Sequence, residues 1–120
     1  MRQNRFSGEA LYLAWKLNDA DAASAGLVRE RLTIGEGKRL YTLWSWVVAN
    51  GVVRALLKPD APLEEITEAI WDADAPLLLS RWVEGQRECI EVAHEIETVP
   101  VALGLASRPE QWPFSSASGD

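Results

Sequence analysis

Histidine and cysteine occur once each in this chain, at His94 and Cys89. A protein metal site needs three or four ligands, usually imidazole, thiolate or carboxylate, so a His-rich centre is excluded. The run His94-Glu95-Ile96-Glu97 opens like an HExxH zinc helix but lacks the second histidine, and it reads as a polar helix face. Cys89 stands among apolar neighbours at mid-helix spacing, which suits packing better than nucleophilic work. Glu84, Glu88, Glu91, Glu95 and Glu97 supply carboxylates for acid–base chemistry. Nothing in the pattern singles out a pair, and the row reads as a solvated helix face. Gly35-Glu36-Gly37 lacks the GxGxxG spacing that cradles phosphate and reads as a turn. The inventory implies no metal and no cofactor.

The elements that position these residues belong to one domain spanning residues 1–120, a length that supports a single core. Apolar residues make up 48% of the chain, a globular composition. No apolar run approaches the ~18 residues that span a bilayer. The start, MRQNRFSGEALYL, has no continuous apolar stretch of the secretory kind, so a soluble cytoplasmic protein is expected. One cysteine excludes an internal disulfide, in keeping with a reducing compartment. Net charge is −6 and unevenly spread: residues 1–40 hold seven Lys/Arg against five Asp/Glu, the remainder five against thirteen. An acidic chain is handicapped as a phosphate-backbone binder. Only Arg2, Arg5, Lys16, Arg29, Arg31, Lys38 and Arg39 could form a basic face in the first third.

Residues 10–17 alternate Leu11, Leu13, Trp15 and Leu17 against Tyr12, Ala14 and Lys16, a strand with one apolar face. Asn18 to Asp21 offer N-caps for a helix to about Leu32, and Gly35 to Lys38 break it. A second strand covers 40–48, with Leu40, Trp44 and Trp46 on one side and Tyr41, Leu43 and Val47 on the other. Asn50-Gly51 between apolar runs predicts a tight hairpin into a third strand over 52–57. Asp60 caps a helix with Pro62 in its first turn and Leu63, Ile66 and Ile70 at helical spacing. Ala75-Pro76 interrupts before a fourth strand over 77–83. A third helix spans 86–98, and Pro100 ends it or starts a short successor over 101–105. The order β-α-β-β-α-β plus a helix predicts an α+β, ferredoxin-like fold: a four-stranded antiparallel sheet with two helices on one face. The third helix and the C-terminal tail must then cover the other face.

The tail RPEQWPFSSASGD is the most specific stretch. Its Pro-x-x-Trp-Pro-aromatic-Ser-Ser ending resembles the C-terminal signature of REP-associated tyrosine transposases, relatives of the IS200-type enzymes. GEALYLAWKLN (8–18) is similar to the family's first strand, and YTLWSWVVANGVVRALLKP (41–59) to its hairpin. Residues 77–101, ending EIETVPV, resemble its last strand and helix, with Gly104-Leu105 following as in the family. The resemblance covers almost the whole chain, shortened before Leu77. It implies a hairpin strand carrying two metal-binding histidines and a later helix carrying a tyrosine that attacks a DNA phosphate. Val52 and Arg54 stand where those histidines belong, and Glu95 where the tyrosine belongs. Val binds no metal, Arg is permanently cationic, and a carboxylate does not replace a phenolate nucleophile here.

Three functions follow in order. The first is a non-enzymatic protein- or peptide-binding module, with an edge strand taking an extended segment and aromatic anchors. Tyr12, Tyr41 and Trp82 are the candidate anchors, with Lys16 and Arg54 as candidate polar contacts. Six tryptophans exceed what a small core needs. The alternative is a nucleic-acid-binding regulator without cleavage, favoured by the family and opposed by the acidity. New enzymatic chemistry comes last. Sheet pairing in the IS200-type relatives, together with an unpaired strand edge, implies a homodimer or a heteromer with a related chain.

Overall fold

The computed structural model describes residues 9–17, 22–70 and 76–118. Strand β1 (Glu9–Lys16) precedes helix α1 (Ala22–Gly37), strands β2 (Tyr41–Ala49) and β3 (Val52–Pro59) and helix α2 (Leu63–Ile70). Strand β4 (Leu77–Glu84), helix α3 (Gln86–Ala102) and two short 3₁₀ turns, Pro109–Gln111 and Ser116–Ser118, complete the order. The strands form one antiparallel sheet in the order β2-β3-β1-β4. This is the ferredoxin-like α+β arrangement expected of the element order. Among the described residues no helix is long and apolar enough to cross a membrane.

The sheet separates two cores. On one side Leu11, Leu13, Trp15, Val53, Ala55 and Leu57 pack with Val28 and Leu32 of α1 and Ile66 and Ile70 of α2. On the other, Ala10, Tyr12, Val47, Leu56 and Val83 pack with Cys89, Val92, Ala93 and Ile96 of α3. Alternation at a period of two sends successive side chains into the two layers. Asn50 and Gly51 both take positive φ, 54° and 76°, the turn that matches strand twist. The hairpin is as expected.

The parity of β2 is not. The β2–β3 register runs from Leu43↔Leu57 to Ser45↔Leu56, leaving Trp44 bulged. An extra residue swaps the faces beyond it. Tyr41 and Leu43 therefore lie on the same side as Trp46, while Trp44 joins the α3 side with Val47. The expected grouping of Leu40, Trp44 and Trp46 is overturned.

Helix α1 continues through Gly35 to Gly37 instead of breaking there. Gly35 is a packing residue: a Cβ at this position would overlap the Tyr41 side chain. The chain stops the helix at Arg39, in the left-handed region at φ 63°, with Leu40 N–H donating back to the Gly35 carbonyl at 3.2 Å. The caps proposed at Asn18 to Asp21 lie outside the described residues. For α2 the first bond is accepted by the Pro62 carbonyl from Ile66 N–H, 3.2 Å, and Asp60 instead accepts from Thr42 Oγ1 at 3.4 Å. Helix α3 runs through the buried Pro100 to Ala102. Pro100 sits in the last turn, where it forfeits one backbone donor without stopping the helix.

Candidate functional site

Strand β3 sends Val53, Ala55 and Leu57 towards α1 and α2, so Val52, Arg54 and Leu56 face the α3 side. Register then fixes the neighbours of Arg54. Ala14 lies opposite Arg54, and Lys16 opposite Val52. Tyr12 lies opposite Leu56 on one flank and Arg81 on the other. Directly opposed residues of an antiparallel pair share a face, which brings Lys16, Arg54, Tyr12 and Arg81 together. Arg54 Nη1 donates to the Tyr12 hydroxyl at 3.0 Å. The Arg81 guanidinium stands over the Tyr12 ring, 5.6 Å from its centroid, a cation–π placement. Tyr12 thus meets one arginine at its hydroxyl and another over its ring, and its body is buried.

Helix α3 forms the wall beside this floor. Its buried face carries Cys89, Val92, Ala93 and Ile96. At 100° per residue Glu88, Glu91 and Glu95 fall on one flank and Glu97 on the other. Glu88 Oε1 is 3.8 Å from Arg81 Nη1, so the flank with Glu95 is the one on the side of Arg81. Glu91 pairs with Arg87 at 3.4 Å. Glu84 belongs to β4 and not to the helix. The five carboxylates are therefore not one solvated face.

Cys89 is buried in the α3-side core, and burial, with Glu88 adding to it, pushes its thiol above the usual range. That disfavours the thiolate. Among the described residues no three His, Cys, Asp or Glu side chains converge to hold a metal ion. Val52, Arg54 and Glu95 supply no imidazole and no phenol to the face where β3 and α3 meet.

The remaining candidates divide. Tyr41 is a core residue, 1% exposed, whose hydroxyl donates to the Leu32 carbonyl at 2.6 Å. Burial, with Glu36 adding to it, raises its phenol well above the ordinary value. Its expected part as a docking anchor is overturned, because α1 lies across that face of β2. Tyr12 is also buried, at 2% exposure, so it serves as floor and polar tip and not as a projecting anchor. Lys16 is exposed at the end of β1. Trp82 is 49% exposed on β4 and, opposite Leu11, faces the α1–α2 side. It does not join Arg54. Neighbouring Leu77 and Leu78 are also exposed.

The two sheet edges differ. Tail residues close the β2 edge: Val48 N–H donates to the Phe114 carbonyl at 2.8 Å and Trp46 N–H to Ser116 Oγ at 3.0 Å. Ser116 Oγ in turn donates to Glu97 Oε2 at 2.6 Å, and Trp112 Nε1 to the Val48 carbonyl at 2.8 Å. Among the described residues nothing pairs with the outer edge of β4. Sequence reasoning missed Arg81 and the Glu97–Ser116 tie. Arg81 shares parity with Val83 along β4 and was open to a period-two reading; the tie depends on where the tail returns, which no local pattern encodes.

No protein-family model matches the chain, and no curated protein matches it. A solved structure of a REP-associated tyrosine transposase bound to a REP hairpin is similar, with a TM-score of 0.70 over 95% of this chain and 79% of that one. Identity is 15%. The likeness shows that this chain has the fold of that transposase.

Proposed function

We propose that this chain is a non-cleaving binding domain on a transposase fold, with a protein or peptide partner docking at β4. The observation that carries the reading is the contrast between the edges: β2 is closed by the chain's own tail, while among the described residues nothing pairs with the outer edge of β4, beside the half-exposed Trp82. Unpaired strand edges accept extended segments, and tryptophan is the commonest energetic anchor at interfaces. A bulge opposite Ala14/Trp15, at Leu78, confines regular pairing to 79–84. The partner is another protein, a second copy or a related chain, in the cytoplasm. Non-cleavage is supported by Val52, Arg54 and Glu95 standing at the positions where the resemblance places a metal pair and a nucleophile.

Pull-down from the native host with the wild-type chain and with Trp82→Asp, joined to light scattering of both, tests this. A partner or a dimer that the variant loses, with thermal stability within a few tenths of a kcal/mol of wild type as surface changes usually are, is the expected result. A monomer whose captured proteins are identical in the two forms contradicts docking at β4.

A nucleic-acid regulator is the second reading, favoured by Lys16, Arg54 and Arg81 sharing one face. Fluorescence anisotropy with hairpin and random oligonucleotides separates the two. The first reading expects no binding below ~10 µM at physiological salt, near the tighter end of non-specific affinities. Micromolar binding that weakens steeply with salt supports the second.

A further inference from the structure

We propose that Arg54, Arg81 and Tyr12 form a metal-free seat for one compact phosphate group, with Lys16 at its rim. The seat is independent of docking at the β4 edge, since Trp82 points to the opposite face of the sheet from Arg81.

Hydrogen-bond capacity is the first argument. Guanidinium carries five donors, and the Arg54 bond within the described residues goes to a neutral phenol oxygen at 3.0 Å. No carboxylate of the described residues lies within ion-pair distance of Arg54. A half-buried cation facing only a neutral acceptor is costly, and a bound anion offsets that cost. Tyr12 accepts from Arg54, so its own O–H stays available to donate. Arg81 adds a second guanidinium over the face of the same ring, 5.6 Å from its centroid. Its carboxylate neighbour Glu88 is 3.8 Å away with both side chains about half exposed, a contact that contributes little. The guanidiniums of Arg54 and Arg81 and the Tyr12 hydroxyl are donors suited to the oxygens and the charge of about −1.5 to −2 that a phosphate carries near neutral pH.

Charge also sets the size of the ligand. Glu88 stands 3.8 Å from Arg81, Glu91 and Glu95 lie on the same flank of α3, and the chain carries −6 overall. A polynucleotide would have to run its successive phosphates past that flank, and like charges repel more as water is excluded. A single phosphate, free or as a monoester, meets the arginines without doing so.

Calorimetric titration of the full chain with inorganic phosphate, at ionic strength held constant with chloride, tests the seat. Saturable binding is expected, weakened about tenfold by Arg54→Gln, the order of one lost charge-assisted hydrogen bond. Lys16→Gln, an exposed change that leaves the core alone, should weaken it about two- to threefold, the scale of one rim charge. If Arg54→Gln fails to fold, Lys16→Gln and Tyr12→Phe carry the test. An unphosphorylated hairpin oligonucleotide forms the second arm. The proposal is overturned if phosphate shows no saturable binding, if the variants bind it as wild type does, or if the oligonucleotide binds more tightly than phosphate in an Arg54-dependent way.

Discussion

Tyr41 donates to the Leu32 carbonyl from inside the α1-side core, and the space its ring needs is the space a side chain at Gly35 would take. Tyr41→Phe keeps the ring and deletes the hydroxyl, so it should cost about 1 kcal/mol, the net worth of a typical buried hydrogen bond. A pH signature accompanies it. The folded phenol titrates above its unfolded value, so the folded state holds the proton longer. The stability this contributes is complete below the ordinary phenol value near 10 and is lost as pH rises above it. Denaturant unfolding of wild type should therefore lose stability on passing pH 10, and Tyr41→Phe should lose less; equal slopes would contradict this. On the sequence Tyr41 and Trp82 both look like anchors, since each is a strand aromatic with polar or aliphatic neighbours. Only the helix laid across one of them tells them apart, and helix placement is a tertiary fact.

Among the elements, the β2–β3 hairpin was fully legible because its turn is local: two residues that tolerate positive φ, between apolar runs. The parity of β2 was not, since a bulge at Trp44 inserts one residue and no side-chain pattern announces it. Helix ends failed for the same kind of reason. Gly35 and Gly37 read as breakers, yet one is kept small by Tyr41 and the stop falls at Arg39. That Val52 and Arg54 share a face was legible from alternation along β3, whereas Lys16 joined them only through the β1–β3 register and Arg81 only through the β1–β4 register. The tail is an element in its own right, held by Ser116 on Glu97 and by the amides of Trp46 and Val48. Glu97→Ala should cost about 1–3 kcal/mol, the range for hydrogen bonds to charged groups. It should also speed hydrogen exchange at the Trp46 and Val48 amides above that at Ala55, which lies in the central strand β3. Unchanged exchange at both amides would show that the tail is held without the carboxylate.

At the scale of the whole molecule, the fold of a DNA-handling transposase is carried by a chain with net charge −6 and an acidic helix flank beside its cationic floor. Fold alone does not settle function; the side chains on the site do. On the face where β3 meets α3, this chain places Val52, Arg54 and Glu95, and its arginines turn to Tyr12. By this reading the face where β3 meets α3 does not cut DNA, and partner docking is left to the β4 edge. Incubating the purified chain with hairpin DNA and Mn²⁺, then resolving the products under denaturing conditions, checks this. Intact DNA and no covalent protein–DNA adduct are expected; an adduct that survives denaturation, or a nick that requires the metal, would overturn the reading.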